Sequence, residues 1–169
     1  LLPVSYIGAN TFFFHQGEQI SLTTLQKRLA AAGYANVKQV LAAGEFAVRG
    51  SIVDVFPMGS ERPFRLDFFD DEIESIRWFD VDTQRSMESA EEIRLLPGHE
   101  FPVDPEALLA FRQRWRREFA GDPKKSIVYC DIEKEMLPQG IEYYLPLFFD
   151  ETAALTDYLP PNARVFLLG

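Results

Sequence analysis

The chain has 169 residues, with 17 Lys and Arg against 26 Asp and Glu, a formal charge of −9 and a pI near 4.7. Hydrophobic residues make up 47% and aromatics 14%, which excludes a disordered chain and suits one domain, or one domain with part of another. The acidic balance argues against a phosphate-backbone binder, and no segment approaches the roughly 20 apolar residues needed to cross a bilayer.

In chain order, Phe12-Phe13-Phe14 reads as a short strand after the turn-prone Gly8-Ala9-Asn10, and Gln16-Gly17 as a turn. Ser21 is a helix cap, and Leu22, Leu25 and Leu29 put one apolar stripe on the following helix, predicted over 21–32 and ended by Gly33 in the left-handed conformation. Glu45–Arg49 and Ser51–Phe56 are predicted strands joined at Gly50. Phe64–Phe69 and Glu72–Asp80 follow, joined by Asp70-Asp71, and Glu92–Leu96 is a further strand. Short strands between Gly, Pro and Asp turns predict an antiparallel sheet, hence an α+β module over 11–97 with a boundary at Pro97-Gly98. Asp104-Pro105-Glu106 opens a second helix carrying Leu108, Phe111, Trp115 and Phe119, with Arg112, Arg114, Arg116 and Arg117 toward its end. Ser126–Asp131 and Arg164–Leu168 read as strands, and a chain that stops on a bare strand reads as truncated.

Little points to catalysis. The two histidines, His15 and His99, are far apart, and a P-loop, a GxGxxG, an HExxH and a CxxC are all missing. The single cysteine, Cys130, excludes an intrachain disulfide and fits a reducing compartment; the first residues lack the basic region of a signal peptide. Asp67, Asp70, Asp71, Glu72 and Glu74 read as a charged hairpin rather than a metal cluster, because their spacing has no ligand register. Asp54, inside an apolar run, reads as a buried partner for an arginine or for turn amides, a structural role. The Arg112–Arg117 group reads as a solvated helix face. A binding module is the reading these residues favour.

The pattern that stands out is Phe64-Arg65-Leu66-Asp67-Phe68-Phe69. Alternation along a strand puts Phe64, Leu66 and Phe68 inward and Arg65, Asp67 and Phe69 outward. On Glu45–Arg49, Phe46 and Val48 face inward and Arg49 outward. Pairing of these strands brings Arg49, Arg65 and Phe69 to one face, a composition typical of interface anchors. The alternative is that Phe69 is covered by the module's own helix or by the second half of the chain.

Two runs carry a family resemblance: Gly44-Glu45-Phe46-Ala47-Val48-Arg49-Gly50-Ser51-Ile52-Val53-Asp54-Val55-Phe56-Pro57 and Phe64-Arg65-Leu66-Asp67-Phe68-Phe69-Asp70-Asp71-Glu72-Ile73-Glu74-Ser75-Ile76. They resemble the second domain of the excision-repair protein UvrB and the UvrB homology region of Mfd, the bacterial transcription-repair coupling factors. Leu95–Phe101 and Gly140–Phe149 resemble the Mfd branch. The resemblance implies a UvrA-binding α+β domain, residues 11–97, inserted in a degenerate RecA-like α/β domain without working ATPase motifs. Residues 1–10 would connect from that domain, and 98–169 would return into it in truncated form. It implies a cytoplasmic, non-enzymatic recruitment module that presents Arg49, Arg65 and Phe69 to UvrA, competes there with UvrB and needs no cofactor of its own. The ATP- and Mg-using motor, the RNA polymerase contact and the remaining Mfd domains lie elsewhere in such a protein. Direct DNA contact is the alternative. It is disfavoured by residues 1–97, which hold 9 basic and 14 acidic side chains.

Overall fold

A computed structural model describes residues 1–164 and residue 166. The elements in order are α1 (Val4–Ala9), β1 (Phe12–His15), α2 (Leu22–Ala31), β2 (Ala35–Asn36), β3 (Glu45–Arg49), β4 (Ile52–Phe56), β5 (Phe64–Phe69), β6 (Glu72–Phe79), β7 (Ser86–Ala90), β8 (Glu92–Leu95), α3 (Pro105–Glu118) and α4 (Ile127–Glu133). Short 3₁₀ turns lie at Pro123–Lys125, Ile141–Leu147 and Leu155–Tyr158. The chain divides into two compact units, Ala9–His99 and Leu1–Gly8 with Glu100–Gly169. The fold is α+β.

In the Ala9–His99 unit, a sheet runs in the order β2-β3-β4-β5-β6-β7, and β1 pairs separately with β8. Only the two-residue β2 runs parallel to its neighbour; the other pairs are antiparallel. The alternation in β5 is as the sequence predicts: Phe64, Leu66 and Phe68 are buried, while Arg65, Asp67 and Phe69 are not. Together with Phe46, Val53, Val55, Ile73 and Ile76 they face Leu25 and Leu29 of α2 and form the main core. Burying each such side chain is worth about 1.5–3 kcal/mol, which outweighs the modest helix propensity of α2.

Both ends of α2 follow local chemistry. Ser21 Oγ accepts the Thr24 amide at 3.2 Å. At the other end Gly33 has φ +87, its amide donates to Ala30 O, and the Tyr34 amide donates to Leu29 O, each at 3.0 Å. This is a Schellman closure that a side chain at position 33 would strain. Gly98 then packs directly on that helix end: a Cβ there would lie 2.6 Å from Gly33 O, and its amide already donates to Ala32 O at 2.6 Å.

Tyr34 ties the same corner together. Its buried hydroxyl donates to Leu96 O at 2.7 Å and accepts the Met58 amide at 3.1 Å. Tyr34→Phe leaves two backbone groups unpaired, so a loss of about 1–3 kcal/mol is expected in a urea melt. An unchanged midpoint would mean that water replaces the phenol at no cost.

Two features differ from the sequence reading. The opposite face of the sheet carries a small apolar cluster that the sequence reading did not include: Val40, Ala47 and Phe79 are buried there, with Val37 and Phe56 packed on them. In addition, Ser86–Ala90 is a strand, although its polar sequence carries no alternation; it is an exposed edge.

The second unit is built on α3 and α4. Asp104 caps α3, accepting the Glu106 and Ala107 amides at 3.1 and 3.0 Å. Leu108, Phe111 and Trp115 pack with Tyr129, Ile132, Ile141, Leu147 and Phe148. Phe119, expected on the same stripe, lies at the helix end and is exposed. The expected strand Ser126–Asp131 is instead the start of α4. Ser126 Oγ accepts the Tyr129 amide at 3.3 Å, and Tyr129 and Ile132, one helical turn apart, are both buried. Capping and i, i+3 burial thus override the β-propensity of Ile-Val-Tyr. The expected strand Arg164–Leu168 falls, at Val165, Leu167 and Leu168, outside the described residues.

Candidate docking face

Register places the candidate residues. Ala47, Asp54, Arg65 and Arg77 form one cross-strand row on the outer face, and Arg49, Ile52, Asp67 and Ser75 form the next. Asp54 is 1% exposed, so its carboxylate depends on protein partners for its charge. Arg65 supplies a fork, with Nε 2.6 Å from Oδ1 and Nη2 2.9 Å from Oδ2. Arg49 Nη2 donates to the same Oδ2. One buried carboxylate thus gathers two guanidiniums; of the arginine and turn-amide partners its sequence position allowed, the structure supplies arginines.

The two arginines are held differently. The Arg65 side chain is 13% exposed. Its Nη1 donates to Gln84 O at 3.1 Å and Ser86 Oγ at 3.3 Å, and its guanidinium carbon lies 4.8 Å from the centre of the Phe79 ring. The Asp54 hydrogen bonds raise the pKa of Arg65 further above its usual range; desolvation opposes this, and the charges of Asp54 and Asp67 add to it. Arg49 is 47% exposed and touches Asp54 through one nitrogen. Gln84, Ser86 and Phe79 complete the Arg65 socket, and sequence reasoning missed them. Gln84 turns its carbonyl inward through a left-handed backbone, φ +59, and Ser86 belongs to the unpredicted edge strand.

Phe69 ends β5 on the same outer face, four residues beyond Arg65, or roughly 13 Å along the strand. Its ring is not covered: the residue is 69% exposed. A bulge in the pairing with β6 falls between Asp67 and Phe68, and Asp70 follows with φ +51. Both features break the regular ladder at the strand end. Between Phe69 and Arg65, Asp67 accepts from Ser75 Oγ at 2.8 Å and lies 4.0 Å from Arg77 Nη2. The face therefore reads, along β5, as a held cation, a polar step and a free ring.

Other singled-out residues are engaged elsewhere. Glu72 accepts from Gln19 Nε2 at 2.7 Å, and among the described residues no group of three or more His, Cys, Asp or Glu is placed to hold a metal ion. Arg114 donates to Leu147 O and Asp150, Arg116 stacks over Tyr129, and Arg117 pairs with Glu118, so the arginines of α3 do not form one open basic stripe. The Cys130 thiol donates to Lys124 O at 3.3 Å. Among the described residues no helix is long and apolar enough to cross a membrane.

Comparison with known proteins identifies the unit that carries this face. Residues 12–101 match the family model described as the UvrB interaction domain. The chain is 50% identical over 163 residues to the transcription-repair-coupling factor of Haemophilus influenzae, covering 95% of this chain and 14% of that protein. It is 47% identical over 168 residues to that of Escherichia coli and 33% identical over 181 residues to that of Bacillus subtilis, covering 99% of this chain and 15% of each of those proteins. The match spans the sheet, the docking face and most of the second unit. The chain belongs to the UvrB interaction domain family, in a form similar to the one carried by transcription-repair-coupling factors.

Proposed function

We propose that the Ala9–His99 unit is a recruitment module that docks UvrA onto a transcription-repair-coupling factor, with Arg49, Arg65 and Phe69 as its contacts. The observation that carries this reading is the exposed Phe69 ring on the same sheet face as two guanidiniums. An uncovered aromatic on the same sheet face as arginines is the composition of an interface anchor, and the matching family is an interaction domain, not a catalytic one. In this reading the chain supplies the protein–protein contact that brings repair to a stalled RNA polymerase. ATP and Mg use, polymerase binding and translocation on DNA belong to other parts of the longer protein. UvrB, bearing a similar surface, competes for the same site on UvrA.

Calorimetric titration of purified UvrA into this chain tests the proposal. Wild type is expected to bind, and Arg49→Ala to bind about tenfold more weakly, because a half-exposed, charge-assisted contact contributes about 1.4 kcal/mol. Absence of binding by folded wild type would sink the docking reading. A DNA titration runs alongside: tight binding with a steep salt slope would favour the DNA-contact reading, which the acidic charge opposes.

A further inference from the structure

We propose that Asp54 is the positioning residue of the docking face, a reading that rests on the docking function above. Its carboxylate touches no partner itself; it sets where the Arg49 guanidinium stands, against an Arg65 that Gln84, Ser86 and Phe79 also hold.

Three observations carry this. Asp54 is almost fully buried in the middle strand of the β3–β4–β5 ladder, in a row where its cross-strand neighbours are Ala47 and Arg65. The small Ala47 side leaves the diagonal open, and Arg49 reaches across it from the end of β3 to Oδ2. Oδ2 therefore accepts from both arginines, while Oδ1 is taken by Arg65 Nε. Two positive groups on the strands either side of β4 would repel if left alone; a single negative charge between them holds them together and leaves one net positive charge on the trio. Arg65 Nη1 donates to Gln84 O and Ser86 Oγ, so the plane of its guanidinium is held from both sides. Arg49 hangs on the pair by one nitrogen, through its bond to Asp54 Oδ2. Pre-placement of such side chains lowers the ordering cost on binding an acidic or carbonyl-bearing protein surface.

The test is a double-mutant cycle read by UvrA titration, using this chain as wild type, Asp54→Asn, Arg49→Ala and the double variant, each checked for folding by circular dichroism. Positioning predicts that Asp54→Asn weakens binding about tenfold, and that the same change costs less than about threefold once Arg49 is absent, because the two act as one unit. Losses that multiply independently would overturn the proposal, as would full affinity for Asp54→Asn. Should Asp54→Asn fail to fold, Asp54→Glu takes its place. It keeps the charge but moves the carboxylate outward by one methylene, so positioning still predicts weaker capture, and unchanged affinity would overturn it. Failure of the wild type to bind UvrA would remove the docking reading together with this inference. Binding by wild type with an indifferent Asp54 removes the inference alone.

Discussion

Asp54→Ala is expected to lower the melting temperature of the Ala9–His99 unit by roughly 15 °C, the largest effect of any substitution on the docking face. The reason is what remains behind. Arg65 keeps its place between Phe79, Gln84 and Ser86 with only 13% of its side chain exposed, but it loses the carboxylate that took two of its N–H groups. Breaking a buried pair by removing one partner costs about 3–5 kcal/mol, and each kcal/mol moves the midpoint of a small domain by about 4–8 °C. Arg49→Ala provides the contrast. That side chain is half-exposed, water replaces its bond, and the expected loss is under about 1 kcal/mol. The two variants should differ in salt response as well, since the Arg65 pair is shielded from counter-ions and the Arg49 pair is not. Scanning calorimetry settles it: an Asp54→Ala midpoint within about 2 °C of wild type would show that the buried bridge does not hold the sheet together.

Phe69→Ala is expected to have the opposite signature: no change in stability and about a thirtyfold loss of UvrA affinity. The ring is 69% exposed and packs against little, so its removal opens no cavity, and surface changes of this kind stay within about 0.5 kcal/mol. In the docked state the same ring would lose its water. An aromatic anchor buried at an interface is worth about 2 kcal/mol or more, which converts to roughly thirtyfold. Melting and titration on one sample separate the two quantities. If Phe69→Ala lowered the melting point instead, the ring would be serving the fold, and equal affinity for UvrA would take it out of the docking face.

The pairing of these two outcomes follows from a division along one strand. In Phe64–Phe69 every second side chain closes the core, and the remaining three do separate things: Arg65 is tied down, Asp67 is bonded to its neighbour Ser75, and Phe69 is free. Along this strand the shielded Arg65 pair, closed by Asp54 on β4, carries stability, and the exposed Phe69 ring is left for the proposed docking.

Much of this is local chemistry and so could be read from the chain. Apolar alternation in β5, the Leu25–Leu29 stripe, the Ser21 and Asp104 caps and the left-handed Gly33 depend on residues within a few positions of one another. The oddity of an aspartate inside Ile52–Phe56 was legible for the same reason: a charge in an apolar run needs a partner. What could not be read was which partners meet. Ser86 and Gln84 lie 21 and 19 residues from Arg65, on a polar edge strand and in a turn with no periodicity to announce them. Ser126–Asp131 misled because β-propensity is a weak local preference, and burial of Tyr129 and Ile132 against α3 outweighs it. By itself, then, the sequence determined α2, α3, the strands β1, β3 to β6 and β8, and the face on which Arg49, Arg65 and Phe69 stand, because side-chain alternation is a property of the backbone. Only the tertiary structure decided that the two arginines converge on one carboxylate while the ring stays open to solvent, because the energy of a buried charge depends on groups brought together from distant parts of the chain.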